Sequence, residues 1–263
     1  NSEQSLDKLC HSDADGTPHI RSEPPLLVPI EELYPDDPGG VEARIAHRFE
    51  TYRAMLDDNI RHLVDQFTFR QVARKVVGVG SVGTRCWIAL MEGRGPGDVL
   101  FLQIKEATDS VIAPYVSSPS FPNAGQRVVA GQRLMQASSD IFLGWTSGLD
   151  EFDNNRDFYV RQLRDGKGSV VIEALDPEEM KLYARLCGVV LAQAHARTRS
   201  RHAIAEYLST AGTFSAAIAD FAMAYESVNQ ADHTAFVGAI AAGTLPSNDL
   251  ESSVTVADLP AAR

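Results

Sequence analysis

The stretch from Lys75 to Lys105 reads KVVGVGSVGTRCWIALMEGRGPGDVLFLQIK, and it decides the fold class of the chain. It contains an apolar run, a glycine-rich turn, a second apolar run, and a third apolar run that ends on a lysine. Short apolar runs bounded by glycine clusters are typical of β-strands joined by turns. The stretch therefore predicts antiparallel strands with a glycine-rich loop between the first two.

The glycine-rich turn, residues 78–83, matches the pattern G-x-G-x-x-G, which two kinds of nucleotide-binding fold share. In a dinucleotide-binding fold the pattern leads into a helix, and an acidic residue follows about 20 positions later. Here the residues after Gly83 favour a strand, and Lys105 stands where the acidic residue is expected. In protein kinases a glycine loop between antiparallel strands covers the phosphates, and a lysine on the third strand pairs with them. The predicted phosphate-binding residues are Gly78, Gly80, Ser81, Gly83 and Lys105.

The alternative is a plain hairpin with a glycine turn and a strand-end lysine in solvent. A kinase-like site also needs a helix carboxylate that orients the lysine. The predicted helix Gln126–Ala137 contains no Asp or Glu, and Glu106 should face away from Lys105 because strand neighbours alternate. No kinase catalytic-loop or metal-binding run occurs, and neither G-x-S-x-G nor H-E-x-x-H is present. The catalytic residues are therefore unknown, and no metal ligand is predicted.

The run DFYVRQL at 157–163, followed by Gly166, suits a strand and a hinge between two lobes. At such a hinge an adenine would form hydrogen bonds with backbone groups. Arg161 and Gln162 are therefore added to the predicted nucleotide-binding residues. An ordinary strand and turn fits the run equally well. The expected cofactor is ATP with Mg²⁺.

The rest of the chain divides into a strand-rich first half and a helical second half. We expect an extended lead-in at 1–40, a helix and antiparallel-sheet lobe at 41–168, a helical lobe at 169–242, and a weakly ordered tail at 243–263. A strand is predicted at 140–145. The helical half is predicted to contain helices from Asp176 to about His195, at Ala203–Leu208, at Thr213–Tyr225, and at about Gln230–Ala241.

Composition narrows the function classes. The chain has 263 residues, 44% of them hydrophobic and 22% charged, which is typical of a globular protein. A net charge of −11 argues against nucleic acid as a partner. No apolar run approaches the roughly 20 residues that span a bilayer, and no signal peptide is recognisable. Three widely spaced cysteines suit a reducing cytoplasm. The expected partners are a nucleotide and a small-molecule or protein acceptor, without nucleic acid or membrane.

Several runs resemble the bacterial family catalogued as domain of unknown function 2252. They span about Pro24 to Ile240, and they are PPLLVP, ARKVVGVGSVGTRCW, LFLQIKEA, GQRLMQASSDIFLGW, DFYVRQL, YARLCG and LAQAHAR. The resemblance implies that full-length members extend further at the N-terminus, with a GDAH-type run and an acidic FDxNDFDE-type run. Those runs look like the catalytic loop and metal-binding segment of aminoglycoside-phosphotransferase-like kinases. The run LAQAHA is similar to the helix that precedes that loop.

By this resemblance the chain is the C-terminal part of the family domain. Its fold is expected to be α+β and protein-kinase-like, with an antiparallel strand-rich lobe before a helical lobe, circularly permuted and incomplete. The predicted function is a phosphotransferase-like protein that binds ATP, with catalytic residues upstream of Asn1. Residues 1–263 alone should then bind magnesium nucleotide weakly and transfer no phosphate. The alternative is a non-catalytic, pseudokinase-like interaction domain, and a Rossmann oxidoreductase ranks third.

Overall fold

The computed structural model describes residues 6, 8–14, 16–76, 83–95, 97–116, 121–149, 154–163, 170–209 and 212–245. The chain divides into two compact units, a sheet unit within Asn1–Met180 and a helical unit within Lys181–Ser253. The predicted α+β class is confirmed by an antiparallel sheet of six strands and several helices. The predicted division into lead-in, sheet lobe, helical lobe and tail stays a prediction.

The strands and helices follow in chain order. The strands are β1 (Cys10–Ser12), β2 (Pro18–Ile20), β3 (Leu27–Pro29), β4 (Thr68–Lys75), β5 (Cys86–Glu92), β6 (Val99–Ala107), β7 (Gly144–Leu149) and β8 (Asn155–Gln162). The helices are α1 (Ile30–Leu33), α2 (Pro38–Ala54), α3 (Asp58–Val64), α4 (Ala124–Met135), α5 (Pro177–Ala196), α6 (Arg201–Leu208) and α7 (Thr213–Ala241). Short 3₁₀ turns lie at Ala113–Tyr115 and Ile172–Ala174.

The six-stranded sheet has the order β3-β4-β5-β6-β8-β7, and every neighbouring pair is antiparallel. Strand β5 lies inside the sheet and is buried at each of its first six positions, from Cys86 to Met91. A strand covered on both faces reads as a continuous apolar run rather than an alternating one. This burial explains why CWIALM is apolar throughout. The strand after the glycine-rich loop is β5, as predicted, and the strand before the loop is β4, which ends at Lys75, where the predicted apolar run begins.

Helix α2 packs on one face of the sheet, which we call the α2 face. Its core joins Val41, Ile45, Phe49 and Tyr52 to strand residues such as Trp87, Leu102 and Phe158. The Tyr52 hydroxyl donates a hydrogen bond of 2.6 Å to the Phe142 carbonyl, and Tyr52 is fully buried. Burial and the nearby Asp140 carboxylate raise the pKa of Tyr52, so its hydroxyl stays protonated and remains a donor.

The opposite face of the sheet is covered in part by the β1–β2 hairpin. Leu9, Cys10 and Ile20 form a second core there, with the strand residues Leu27, Ala73, Ile88, Leu90, Val99 and Phe101. The Ile20 backbone N–H also donates to Gln71 Oε1 at 2.7 Å. These contacts hold the hairpin on the face to which Lys105 belongs by strand alternation, which we call the Lys105 face.

Two of the predicted secondary-structure elements have different bounds in the structure. The strand predicted at 140–145 is displaced to β7, because Asp140 closes a turn by accepting the Phe142 N–H at 2.9 Å. The helices predicted at Thr213–Tyr225 and Gln230–Ala241 are the single helix α7. Between them the chain reads ESVN, which contains no Pro or Gly to end a helix.

Helix α5 begins next to Asp176, as predicted, and the structure shows that a capping box forms its start. Asp176 Oδ1 accepts the N–H groups of Glu178 and Glu179 at 2.8 and 2.9 Å, and Glu179 Oε2 accepts the Asp176 N–H at 3.1 Å. The reciprocal bonds satisfy N–H groups that the first turn of a helix otherwise leaves unpaired.

The helical unit exposes much of its apolar surface. Among the described residues of α5, α6 and α7, only Ala194 is buried. The large apolar side chains that are exposed include Leu182, Leu186, Val190, Leu191, Tyr207, Phe214, Ile218, Phe221, Met223 and Phe236. Within the part of the chain that the structure describes, no helix combines the length and apolar character needed to cross a membrane.

Replacement of Tyr52 by Phe tests the main polar contact of the α2 face. The change removes the donor from the Phe142 carbonyl without altering the ring, so we expect the free energy of unfolding to fall by about 1–2 kcal/mol. Tyr115→Phe is the matched control, because Tyr115 is exposed and its loss should cost under about 0.5 kcal/mol. Urea unfolding measures both variants, and equal stabilities would contradict the assignment.

Candidate functional site

The Lys105 face carries a row of polar side chains across four strands. Cys86 on β5 lies directly opposite Lys105 on β6, and Lys105 lies opposite Tyr159 on β8. Lys75 extends the row onto β4, because its neighbour Arg74 pairs with Trp87 and Lys75 therefore stands beside Cys86. Directly opposed side chains in antiparallel strands lie about 4.5–5.5 Å apart at Cβ. Two lysines therefore flank one buried thiol.

Arg161 lies in the next row on the same face. It is opposite Gln103, and its Nε donates a hydrogen bond of 3.1 Å to Gln103 Oε1. The diagonal from Arg161 to Lys105 spans about 7–8 Å in sheet geometry. Gln103 is buried, so this bond fixes the plane of the guanidinium at the edge of the row. We call Lys75, Lys105 and Arg161 the cation cluster.

The charge of the cation cluster acts on Cys86. Burial raises the pKa of the Cys86 thiol to about 11, while Lys105, Lys75 and Arg161 each oppose that rise electrostatically. The Gln103 side chain also lowers this pKa through a hydrogen bond. The effect of burial on the pKa exceeds that of the three cations, so the thiol is neutral near pH 7 and adds no negative charge to the face. The face thus presents three positive charges around a neutral centre in a chain of net charge −11.

Helix α4 borders the same face. Asp157, two residues from Tyr159 on β8, accepts the Asn123 side-chain amide at 2.8 Å and the Ala124 backbone N–H at 2.7 Å. A Cβ at Gly125 would lie 2.1 Å from the Phe158 carbonyl oxygen, so only glycine permits this close contact. These contacts place the start of α4 against β8. The helix carries no acidic residue, so it supplies no carboxylate to Lys105.

Glu106 lies on the α2 face, as strand alternation predicts. Its carboxylate forms an ion pair of 3.2 Å with Arg85, and both side chains are about 95% buried. Arg156 approaches the other carboxylate oxygen at 3.6 Å. A buried ion pair of this kind holds its two strands in a fixed relation, because removal of one partner leaves an uncompensated charge.

The predicted site residues differ in where they lie. Lys105 and Arg161 share the Lys105 face, while alternation places the Gln162 side chain on the α2 face. The Gln162 backbone N–H donates to Asp140 Oδ2 at 2.6 Å, so it is already engaged. Gly83 has φ +84°, a conformation suited to glycine, and it leads the chain into β5. Gly78, Gly80 and Ser81 lie outside the described residues.

Sequence reasoning missed Lys75, Gln103 and the Arg85–Glu106 pair. Alternation along VLFLQIK could have placed Gln103 beside Lys105, since the two residues are two positions apart. Lys75 and Arg85 required the register between strands, which no local pattern encodes. Among the described residues, no group of three His, Cys, Asp or Glu side chains is arranged to hold a metal ion.

The described residues define an α+β protein whose antiparallel sheet carries a cationic face. The chain belongs to the bacterial family described as "Uncharacterized protein conserved in bacteria (DUF2252)", whose model matches residues 1–239. Comparison with curated proteins and comparison with solved structures each gave no match. The family identified from the sequence runs is therefore confirmed.

Selective alkylation tests the electrostatics of the site. Cys10 and Cys86 are buried, burial raises the pKa of each to about 11, and Cys187 is exposed. Because the thiolate is the nucleophile, we expect iodoacetamide at pH 8 to modify Cys10 and Cys86 at least about 100-fold more slowly than an ordinary exposed thiol. Peptide mass spectrometry follows the reaction at each cysteine, with urea-unfolded protein as the control. Rapid native labelling of Cys86 would contradict its burial.

Proposed function

We propose that this chain is the nucleotide-binding part of a phosphotransferase-like protein and that the Lys105 face holds the phosphates of ATP. The observation that carries the proposal is the cation cluster, which gathers three positive charges on one face of the sheet. Phosphate groups need such cations because the chain as a whole is acidic and repels anions at long range.

The order of parts along the chain supports a kinase-like interpretation. Strands β4 and β5 flank the glycine-rich segment, β6 follows with Lys105, and helix α4 comes next. Protein kinases use the same order of glycine loop, strand lysine and helix around ATP. In this proposal Gly78, Gly80, Ser81 and Gly83 cover the phosphates through their backbone N–H groups.

The spacing of the cation cluster suits a polyphosphate. Lys75 and Lys105 are separated by two strand spacings, about 10 Å, and Arg161 is diagonal to Lys105. Lysine ammonium groups act as point charges, whereas arginine offers a fork of donors to phosphate oxygens. With its Nε bonded to Gln103, Arg161 can direct its terminal nitrogens to the ligand. Mg²⁺ would enter with the nucleotide.

The proposal assigns binding, and no chemical step, to the described residues. Helix α4 lacks the carboxylate that orients the lysine in kinases. The residues that transfer phosphate are proposed to lie upstream, in the GDAH-type and acidic runs that the family resemblance implies. In a protein so arranged, the catalytic segment would precede the glycine-rich loop in sequence.

A second candidate is a pseudokinase-like interaction domain that binds a protein and transfers nothing. The missing carboxylate on α4 and the exposed apolar side chains of α5–α7 favour this alternative. Nucleotide binding at the cation cluster distinguishes the two candidates.

Titration of a non-hydrolysable ATP analogue with Mg²⁺ into the longest natural form of the protein tests the proposal. We expect Lys105→Ala and Lys75→Ala each to weaken binding about tenfold or more, because each loses a charge-assisted contact worth about 1.5–3 kcal/mol. Arg161→Lys should also weaken binding, because an ammonium group cannot replace the fork held by Gln103.

Arg74→Ala is the matched control for charge. Arg74 is next to Lys75 on β4 and is directed to the α2 face, so its removal should leave the affinity within about twofold. Isothermal calorimetry at fixed salt measures every variant. Absence of binding, or equal affinity for wild type and Lys105→Ala, would reject the nucleotide site.

A further inference from the structure

Glu106 of β6 binds the chain where it emerges from the glycine-rich loop. The Glu106 backbone N–H donates to the Arg85 carbonyl at 2.9 Å. Glu106 Oε2 accepts the Arg85 backbone N–H at 3.1 Å and the Arg85 guanidinium Nη1 at 3.2 Å. Glu106 therefore binds both hydrogen-bonding groups of the Arg85 backbone and also its side chain.

Burial makes this attachment strong. The side chains of Arg85 and Glu106 are each about 95% buried, so water competes little for their charges. Arg156 adds a longer contact of 3.6 Å to the other carboxylate oxygen and is itself about one-third exposed. Of these two contacts to Glu106, the one with Arg85 is therefore the shorter and the more buried.

The attachment lies at the junction between the loop and β5. Only Thr84 separates Arg85 from Gly83, the last glycine of the loop, and Cys86 is the first residue of β5. Glu106 is in turn the residue after Lys105, on the opposite face of β6. Two consecutive residues of β6 therefore have different roles. Glu106 binds the end of the loop on the α2 face, and Lys105 belongs to the cation cluster on the opposite face.

We propose that Glu106 is a positioning residue, which holds the Gly83–Arg85 end of the glycine-rich loop in register with Lys105 so that both meet the same phosphate group. The proposal rests on the proposed function for its ligand. In protein kinases a helix carboxylate orients the strand lysine. Glu106 has a different role in this proposal, because it orients the loop rather than the lysine. Glu106 touches no ligand and acts through Arg85.

Glu106→Gln is the principal variant. Glutamine keeps the shape and one acceptor oxygen but loses the charge that binds Arg85. Glu92→Gln is the matched control, because Glu92 forms an ion pair with Arg70 on the same sheet, at the far end of β5 from the loop. Arg156→Gln is a second control, which removes the contact between Arg156 and Glu106 and leaves the bonds between Glu106 and Arg85 in place.

Hydrogen–deuterium exchange without ligand is the first measurement. We expect the amides of residues 84–86 to exchange at least about tenfold faster in Glu106→Gln than in wild type, while amides of β7 and β8 keep their rates. Glu92→Gln should leave residues 84–86 unchanged, and Arg156→Gln should change them less than about threefold. Uniformly faster exchange over the whole sheet would overturn the proposal, because a merely structural ion pair predicts that result.

Affinity for the magnesium ATP analogue is the second measurement. We expect binding to weaken about tenfold in Glu106→Gln and to be unchanged in Glu92→Gln. In Lys105→Ala the further change Glu106→Gln should have a smaller effect than in wild type, because the two residues serve one phosphate group. Local loosening with unchanged affinity would overturn the positioning role.

The two measurements separate the two proposals. If wild-type protein binds no nucleotide, the proposed function fails and with it the role of Glu106 towards phosphate. The exchange data then still decide whether Glu106 anchors the loop end. If wild type binds and Lys105→Ala does not, the nucleotide site stands whatever the result for Glu106→Gln.

Discussion

Side-chain alternation along β6 is the constraint on which the rest of the structure depends. Leu102, Ile104 and Glu106 are directed to the α2 face, while Gln103 and Lys105 are directed to the opposite face. Helix α2 covers one face, and the β1–β2 hairpin covers part of the other. A slip of one residue would move Lys105 into the apolar core and Glu106 away from Arg85. The register is therefore set by packing and charge together.

The same constraint allows an acidic chain to carry a cationic site. The buried Arg85–Glu106 pair neutralises its own charges on the α2 face, so those charges do not compete on the Lys105 face. There the only ionisable centre of the row between the lysines is Cys86, which burial keeps neutral. The cation cluster thus gathers three positively charged side chains on one face of the sheet although the net charge is −11. Local arrangement, rather than composition, decides which ligand this face suits.

Much of the fold could be predicted because its signals are local. The second and third apolar runs of the Lys75–Lys105 stretch became β5 and β6, and the helix predicted from Asp176 became α5. The errors fell where a distant contact competes with a local pattern. The run at 140–145 has strand propensity, yet Asp140 forms a turn and bonds to Gln162 on a neighbouring strand. Propensity is a weak prior that such tertiary contacts override.

The sequence by itself determined the α+β class, the antiparallel strands around the glycine-rich loop, the lysine at the end of β6, and the family. Each of these follows from periodicity, turn residues or runs of matching sequence, which are properties of contiguous residues. Only the tertiary structure decided that Lys75, Lys105 and Arg161 share a face and that Glu106 binds Arg85. These residues are 21 to 86 positions from their partners along the chain. Strand register brings them together, and register is fixed by packing between segments rather than by either segment alone.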